Sequence, residues 1–516
     1  MSNERWILAI DLGNGGPKVA AIDFNERIRA VATRPVDVTY GLNGLATQDA
    51  NQWWETLLDA AREVIATSNV DPRALHAIGI TGQWGSTVPV DAQGLPVGDV
   101  LLWSDTRGQK YMHEVVGGAL SYQGFAPLRI IEWVRKSGGA PSPSGADPTG
   151  HSMVLQRELG EIHDRATYLL EPIDYLGMRF TGRAAATCAS MILSWLTDNR
   201  LNRHAEYDQR LVRKSKRDPN KLAPLVPMGS ILGYVLPNVA EALGISTDVP
   251  VISGIPDLHA AVIGSGAVEP FATHVSISTT AWIGARVPFK KTDVLHSIAS
   301  VPGFDAGMPI VANNHETGGA ALRWMLEQVL PGESYESLIA KATKAPAGCE
   351  GVLFTPWLNG ERSPVEDKNI RASFLNLSLR SDQESMVRAV MEGVAFNARW
   401  LFDAYEKFLG RRSDSLRIIG GGAQSDLWCQ LHAYALNRPI HRPADPRDAQ
   451  LKGVALWTRI ALGELTLQEA GASARITDIF LPDGPDAAIY KELYKEFENL
   501  YPMLKKLHHR LQKLNT

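Results

Sequence analysis

Cysteine is nearly absent from this 516-residue chain: Cys188, Cys349 and Cys429 stand far apart and form no CxxC pair. That excludes a disulfide framework and a zinc site of clustered cysteines, and it suits a reducing compartment. Long apolar runs are missing too, since none approaches the ~18 residues that span a bilayer. The opening MSNERWILAID lacks the charged, apolar and small-residue regions of a secretory leader. A soluble, cytoplasmic protein is expected. Basic excess is also lacking: 52 Lys and Arg against 56 Asp and Glu leave a net charge of −4, which gives no footprint for nucleic acid. The one basic run, KKLHHRLQK near the C-terminus, is expected to be the solvated face of a terminal helix. No biased composition appears either, because the 45 Gly and 30 Pro are spread along the chain, excluding collagen-like and disordered classes.

What is present is an ordinary globular composition, 45% hydrophobic and 21% charged, in a chain long enough for two or more domains. The stretch RWILAIDLGNGGPKVAAID, residues 5–23, reads as strand, glycine turn, strand. TQDANQWWETLLDAAREVIATS carries Trp54, Leu57, Leu58, Ala61 and Val64 at helical spacing, with Asp49 or Asn51 placed to cap it. ALHAIGITGQWG is another strand entering a turn, so strands and helices mix as in an α/β fold. RKSGGAPSPSGADPTGHS, residues 135–152, has too little apolar surface to order itself and is expected to be a mobile loop. A second strand series begins at VPVISGIPDLHAAVIGSGA and continues through ATHVSISTTAWIGARV. Its strand, small-residue turn and strand repeat the N-terminal arrangement half a chain later, which suggests two similar domains. Further on, SMVRAVMEGVAFNARWLFDAYEKFLG is a long helix ended by Gly410. LRIIGGGAQSDLW is strand, turn and helix, and KGVALWTRIALGE and AIYKELYKEFENLYPMLKKLHHRL are helices.

Several turns could carry chemistry. The opening stretch has neither GxxxxGK[ST] nor a GxGxxG leading into a helix. It offers Asp11 at a strand end, then Gly13, Asn14, Gly15 and Lys18: either a phosphate site with a metal-holding acid or a plain hairpin turn. Asp257 ends another strand and is placed either to accept a proton from a hydroxyl attacking phosphorus or to cap a helix. His259 has no partner at ligand spacing and reads as a packed or surface histidine. Ser278, Thr279 and Thr280 could meet a terminal phosphate or simply favour a strand. Gly420, Gly421, Gly422 and Ala423 let a base or phosphate approach the backbone. Gln83, Trp84, Asp105 and Arg107, in turns after strands, suit a polyol or a plain surface turn.

Taken in order, Asp11-Leu-Gly-Asn, GITGQWG, WSDTRG, IPDLHAAVIGSGA, SISTTAW, PWLNGERSP, IIGGGAQSD and KGVALW resemble the FGGY carbohydrate kinases, most closely their xylulokinase-like branch. TQDANQWW, EPIDYLGMRFTG and LYPMLKKLHHRL extend the resemblance over nearly the whole chain. It implies an α/β fold of two actin-like (ribonuclease H-like) domains with a nucleotide cleft between them, an N-terminal unit over 1–262 and a C-terminal unit over 263–516. By position it implies Asp257 as general base, with Asp11 and Asp257 as the acids toward Mg²⁺. It also implies ATP contacts at Gly13, Asn14, Gly15, Ser278, Thr279, Thr280 and Gly420 to Ala423, and sugar contacts at Gln83, Trp84, Gly85, Asp105 and Asp257. The implied partners are a sugar or polyol, with no nucleic acid and no membrane; a homodimer is compatible with it.

The chain departs from the family pattern at informative places. Asn14 stands where Thr or Ser is usual, Ser278-Thr279-Thr280 where Gly-Thr-Ser is usual, and Trp84-Gly85-Ser86 in a turn that is Met-His-Gly in xylulokinases. Leu258 follows the base where Asn is common, and ATCASM lacks acids found there in xylulokinases. Xylulose is therefore the first of several candidate acceptors, beside ribulose, a polyol or gluconate. A non-catalytic sugar or nucleotide sensor and a sugar-independent ATPase are the other readings open at this point.

Overall fold

The computed structural model describes residues 5–121, 124–203 and 206–514. Its first half is built on a sheet of β1 (Trp6–Gly13), β2 (Gly16–Asp23), β3 (Ile28–Thr33), β4 (Leu75–Gly82), β5 (Ile231–Tyr234), β6 (Pro250–Ile252) and β7 (Ile255–Pro256). The order is β5-β6-β4-β1-β2-β3, with β7 also beside β4. The period of two along β1 assigns its faces. Trp6, Leu8, Ile10 and Leu12 pack with Trp53, Trp54 and Leu57 of α1 (Ala50–Thr67), whereas Ile7 and Ala9 pack on the opposite face. Covered on both sides, the strand reads as a continuous apolar run. Asp49 caps α1 by accepting from the Asn51 amide at 2.8 Å.

The second half repeats this plan with β8 (Thr273–Ile277), β9 (Ala281–Gly284), β10 (Leu416–Ile419), β11 (Ile440–Pro443) and β12 (Ile476–Phe480), in the order β9-β8-β10-β11-β12. In each half an antiparallel hairpin is followed by two parallel neighbours and an antiparallel edge. The duplication suggested by the two sequence hairpins is therefore one of topology.

The halves interlock through two helices, α4 (Asp257–Gly264) and α7 (Ala449–Ala461). α7 comes late in the chain, yet its Leu451, Val454 and Ala455 cover Ile7 and Ala9 of the first sheet. The two helices touch backbone to backbone: a Cβ on Gly264 would fall on the carbonyl of Ala449, and one on Gly453 on the carbonyl of Ala260. The second sheet is covered by α5 (Gln383–Leu409), which ends at the left-handed Gly410, and by α6 (Asp426–Leu436).

Three expectations are corrected. Residues 135–152 are a packed segment: Asp147 caps α2 (Pro148–Glu158) through the amides of Thr149 (2.9 Å) and Gly150 (3.0 Å) and draws in the Ser142 amide at 2.5 Å. The glycines supply the order that apolar side chains do not, because Gly108, Gly145 and Gly150 bring three backbones into contact. The long C-terminal helix is two, α8 (Ala487–Glu498) and α9 (Leu500–Gln512), broken where Pro502 has no N–H to donate. On α9, His508 is buried between the Arg371 amide (3.2 Å) and Ser373 Oγ (3.2 Å), so the basic run is docked rather than wholly solvated.

Candidate active site

Register brings the first set of residues together. Asp11 of β1 pairs with Thr81 of β4, and Thr81 with Ile255 of β7, so Asp11, Gln83 and Asp257 emerge at the same carboxyl ends of neighbouring strands. That edge is where open α/β sheets bind ligands. The Gln83 amide fixes the join by donating to the Leu12 carbonyl at 2.8 Å. Asp257 opens α4, and its Oδ1 accepts from the Leu258 amide at 2.7 Å. Burial, and then the neighbouring Asp11 carboxylate, raise the Asp257 carboxyl to about 7. Asp11 is also raised, by burial, against the opposing pull of Lys18 across the hairpin. Lys18 itself turns to the second half, 3.3 Å from Asp448 Oδ1 and 3.3 Å from the Arg447 carbonyl. His259 is packed, its Nε2 2.8 Å from the Pro302 carbonyl.

The turn after Asp11 is held from outside. Gln48 Nε2 donates to the Asn14 carbonyl at 3.0 Å, and Val36 donates to the Gly15 carbonyl at 3.0 Å. Gly16, at φ 117°, sits where a Cβ would strike the Arg34 carbonyl. Gly15 differs, since a Cβ there would meet nothing. Asn14 Oδ1 is buried without a hydrogen-bond partner.

In the second half, Ser278, Thr279 and Thr280 form the turn between β8 and β9, closed by Ser278 N–H to the Thr280 carbonyl at 3.0 Å. Ser276 pairs with Ile419, which sets the Gly420–Ala423 turn beside it. Gly420 lies against the Ile277 carbonyl and Gly422 against Ile277 and Trp428, whereas a Cβ on Gly421 would meet open space. Leu258, Trp282 and Ile419 share one apolar cluster with Trp84 packed against it, so the base position, the second hairpin and the proposed sugar turn are mechanically joined.

On the sugar side, Gly85 N–H donates to Glu171 Oε2 at 2.7 Å, and the Trp103 amide donates to Ser86 Oγ at 3.0 Å. Gln83 Nε2 is buried and unpartnered. Asp105, also expected to contact sugar, is enclosed: its carboxylate accepts from Arg107 Nε (2.9 Å) and Nη2 (2.7 Å) and from the Ala46 amide (3.2 Å). These bonds hold Arg107 and the turn in place. Sequence reasoning passed over the buried acids beneath this turn. Burial pushes Glu171 well above the usual carboxylate range and Asp174 up to about 8. The signal was an acid on either side of Pro172 and Ile173 in an otherwise apolar stretch.

The geometry fits a nucleotide and a hydrated Mg²⁺. Among the described residues no cluster of three or more His, Cys, Asp or Glu forms a cage, and Mg²⁺ characteristically takes one or two carboxylates, with waters and phosphates completing the shell. Asp11 and Asp257 supply such a pair, while Gly15 and Gly421 leave space over two backbone turns. No helix among the described residues is long and apolar enough to cross a membrane.

The chain is also similar to known proteins. Residues 6–131 match the FGGY family of carbohydrate kinases, N-terminal domain, and residues 279–462 match its C-terminal domain, together more than half of the chain. A xylulose kinase of Staphylococcus epidermidis is 27% identical, with 97% of each chain covered. The ligand-bound xylulose kinase structure from Lactobacillus acidophilus superposes with a TM-score of 0.84 at 21% identity, covering 98% of this chain and 100% of that one. The gluconate kinase structure from the same organism gives 0.83 at 22% identity, covering 97% and 98%. These two likenesses establish the two-domain actin-like fold.

Proposed function

Since this chain belongs to the FGGY family of carbohydrate kinases, we propose that it transfers the γ-phosphate of ATP to a hydroxyl of a small sugar or polyol, with xylulose as the first candidate. The observation that carries the mechanism is the pair Asp11 and Asp257 at the carboxyl ends of strands on either side of β4, with the Asp257 carboxyl raised to about 7 by burial and by the Asp11 charge. A base with that value is half ionised near neutral pH, where it both accepts a proton and retains driving force to do so.

Asp257 takes the proton of the acceptor hydroxyl as that oxygen bonds to the γ-phosphorus and the bond to the ADP oxygen breaks. The carboxylates of Asp11 and Asp257 would hold Mg²⁺, which would supply neutralisation of phosphate charge. Asn14 and the amides of Gly13 and Gly15 bind phosphate from one side, and Ser278, Thr279 and Thr280 from the other. Gly420 to Ala423 receive the adenosine. Gln83, Trp84 and Gly85 orient the acceptor, with Asp105 acting through Arg107. The two units, 1–262 and 263–516, meet in the last turn of α4, so a change of angle between them moves the hairpins relative to the base.

Xylulose leads because the curated relative above is named a xylulose kinase; the altered turn Trp84-Gly85-Ser86 is the reason to test other acceptors beside it. The three free cysteines fit a cytoplasmic setting. A homodimer is compatible with this reading, and Leu128 and Ile131, exposed three residues apart on one helix, offer an apolar face for it. The deciding experiment is coupled ADP release with purified protein over ketopentoses, pentitols, tetritols, hexuloses, glycerol and gluconate. One acceptor class should stimulate release far above the sugar-free rate. Uniform, unstimulated release across the panel would overturn the reading.

A further inference from the structure

PWLNGERSP contains a second ionic centre that the phosphoryl-transfer scheme leaves unused. Glu361 is buried, and its Oε1 accepts from the amides of Glu316 (2.9 Å) and Arg362 (2.9 Å). Its Oε2 faces His315 Nδ1 at 3.0 Å and accepts from Asn397 Nδ2 at 2.6 Å. One carboxylate thus fixes two backbone segments side by side. Arg362 then reaches out from this anchor in two directions.

Its Nη2 pairs with Glu316 Oε1 at 2.8 Å, an oxygen that Lys368 also contacts. Two and three residues beyond Glu316, the amides of Gly318 and Gly319 donate to the carbonyls of Thr279 (2.9 Å) and Ser278 (2.6 Å). The edge of the guanidinium is therefore tied to the second hairpin. Its face lies over Trp103 of the first half, with the guanidinium carbon 5.6 Å from the ring centroid. Trp103 in turn is bound to the acceptor turn through Ser86 Oγ, which also contacts Gln83 Oε1 at 3.4 Å. A single side chain, about one-third exposed at 34%, connects the turn that orients the acceptor to the turn that meets phosphate.

We propose that Arg362 is a positioning residue that couples the acceptor turn at Gln83–Ser86 to the second hairpin at Ser278–Thr280, through Trp103 on one side and Glu316 on the other. The inference rests on the kinase reading above for its kinetic consequence, not for its structural one. The chemistry requires arginine: a planar guanidinium offers an edge to a carboxylate and a face to an indole together, whereas an ammonium keeps the first and loses most of the second.

Arg362→Lys is therefore the informative variant, with Trp103→Leu and the double variant completing a cycle. In the wild-type acceptor assay, Arg362→Lys lowers acceptor-stimulated kcat about threefold to thirtyfold, while KM for ATP stays within about twofold. Trp103→Leu has a similar effect, and the double variant is no worse than the more damaged single. Hydrogen–deuterium exchange on the ligand-free proteins gives a readout independent of turnover: peptides spanning 276–284 and 315–320 exchange faster in both single variants. Unchanged exchange in those peptides overturns the coupling, as does a double variant whose kinetic losses multiply. Failure of the kinase reading is separate, because it appears as a wild-type protein that no acceptor stimulates.

Discussion

At the first hairpin Asp11 lies two residues before the end of β1, and a second carboxylate, Asp257, stands across β4 at the start of α4. At the second hairpin β8 ends on Ile277, and the turn that follows presents Ser278, Thr279 and Thr280 beside the glycines after β10. The strand plan on either side is the same, down to the antiparallel edge. What differs is charge: the first end carries acids whose burial raises their pKa, with the Asp11 charge adding to the rise at Asp257, and the second carries neutral donors. On the proposed kinase reading, a phosphate chain between such ends would meet acids on one side and a neutral grip on the other. The duplicated scaffold on that reading divides labour between its halves, with proton transfer assigned to the first.

The most severe way to break the comparison is to separate the halves. Gly264→Val places side-chain atoms on the Ala449 carbonyl, where α4 and α7 touch. A loss of more than about 3 kcal/mol is expected, read as a fall in the urea midpoint. Unchanged stability would mean that the crossing does not hold the halves together.

A smaller effect sharpens the contrast between the hairpins. Asn14 takes the place of a hydroxyl residue, so Asn14→Ala should raise KM for ATP about threefold to tenfold, as loss of one hydrogen bond to phosphate does. Asn14→Thr restores a donor and should stay within about twofold of the parent. Equal damage in both variants would show that the Asn14 side chain packs the turn rather than meeting phosphate.

A pH effect distinguishes the buried acids of the first half. Asp174 has a folded pKa of about 8 against about 4 when unfolded. Between those values the folded state holds a proton that the unfolded state has released, so this carboxyl makes stability fall as pH rises from about 4 to about 8. In Asp174→Asn that slope should flatten, seen as a smaller difference between melting temperatures at pH 5 and pH 8. An unaltered difference would assign the slope to other groups.

Much of this was legible in the sequence because it is local. Strand periodicity, the Asp49 cap, Gly410 as a helix stop and the two glycine or hydroxyl turns depend on neighbours within a few residues. The enclosed Asp105 was not legible: its Arg107 partner is two residues away, but the Ala46 amide that closes the cage comes from another strand. Composition misled at 135–152, where glycines order the chain by letting backbones meet. The placement of α7 on the first sheet, and of Arg362 over Trp103, joins residues hundreds of positions apart and leaves no local trace.

The central claim is that proton transfer resides in the first half while the nucleotide is gripped by both. Asp257→Asn tests it in the acceptor-stimulated ADP-release assay, with ATP affinity measured in parallel by titration. The account predicts a fall in kcat of about 10²- to 10⁴-fold, the usual scale of a lost general base, with ATP binding retained. Normal turnover on the best acceptor would contradict it.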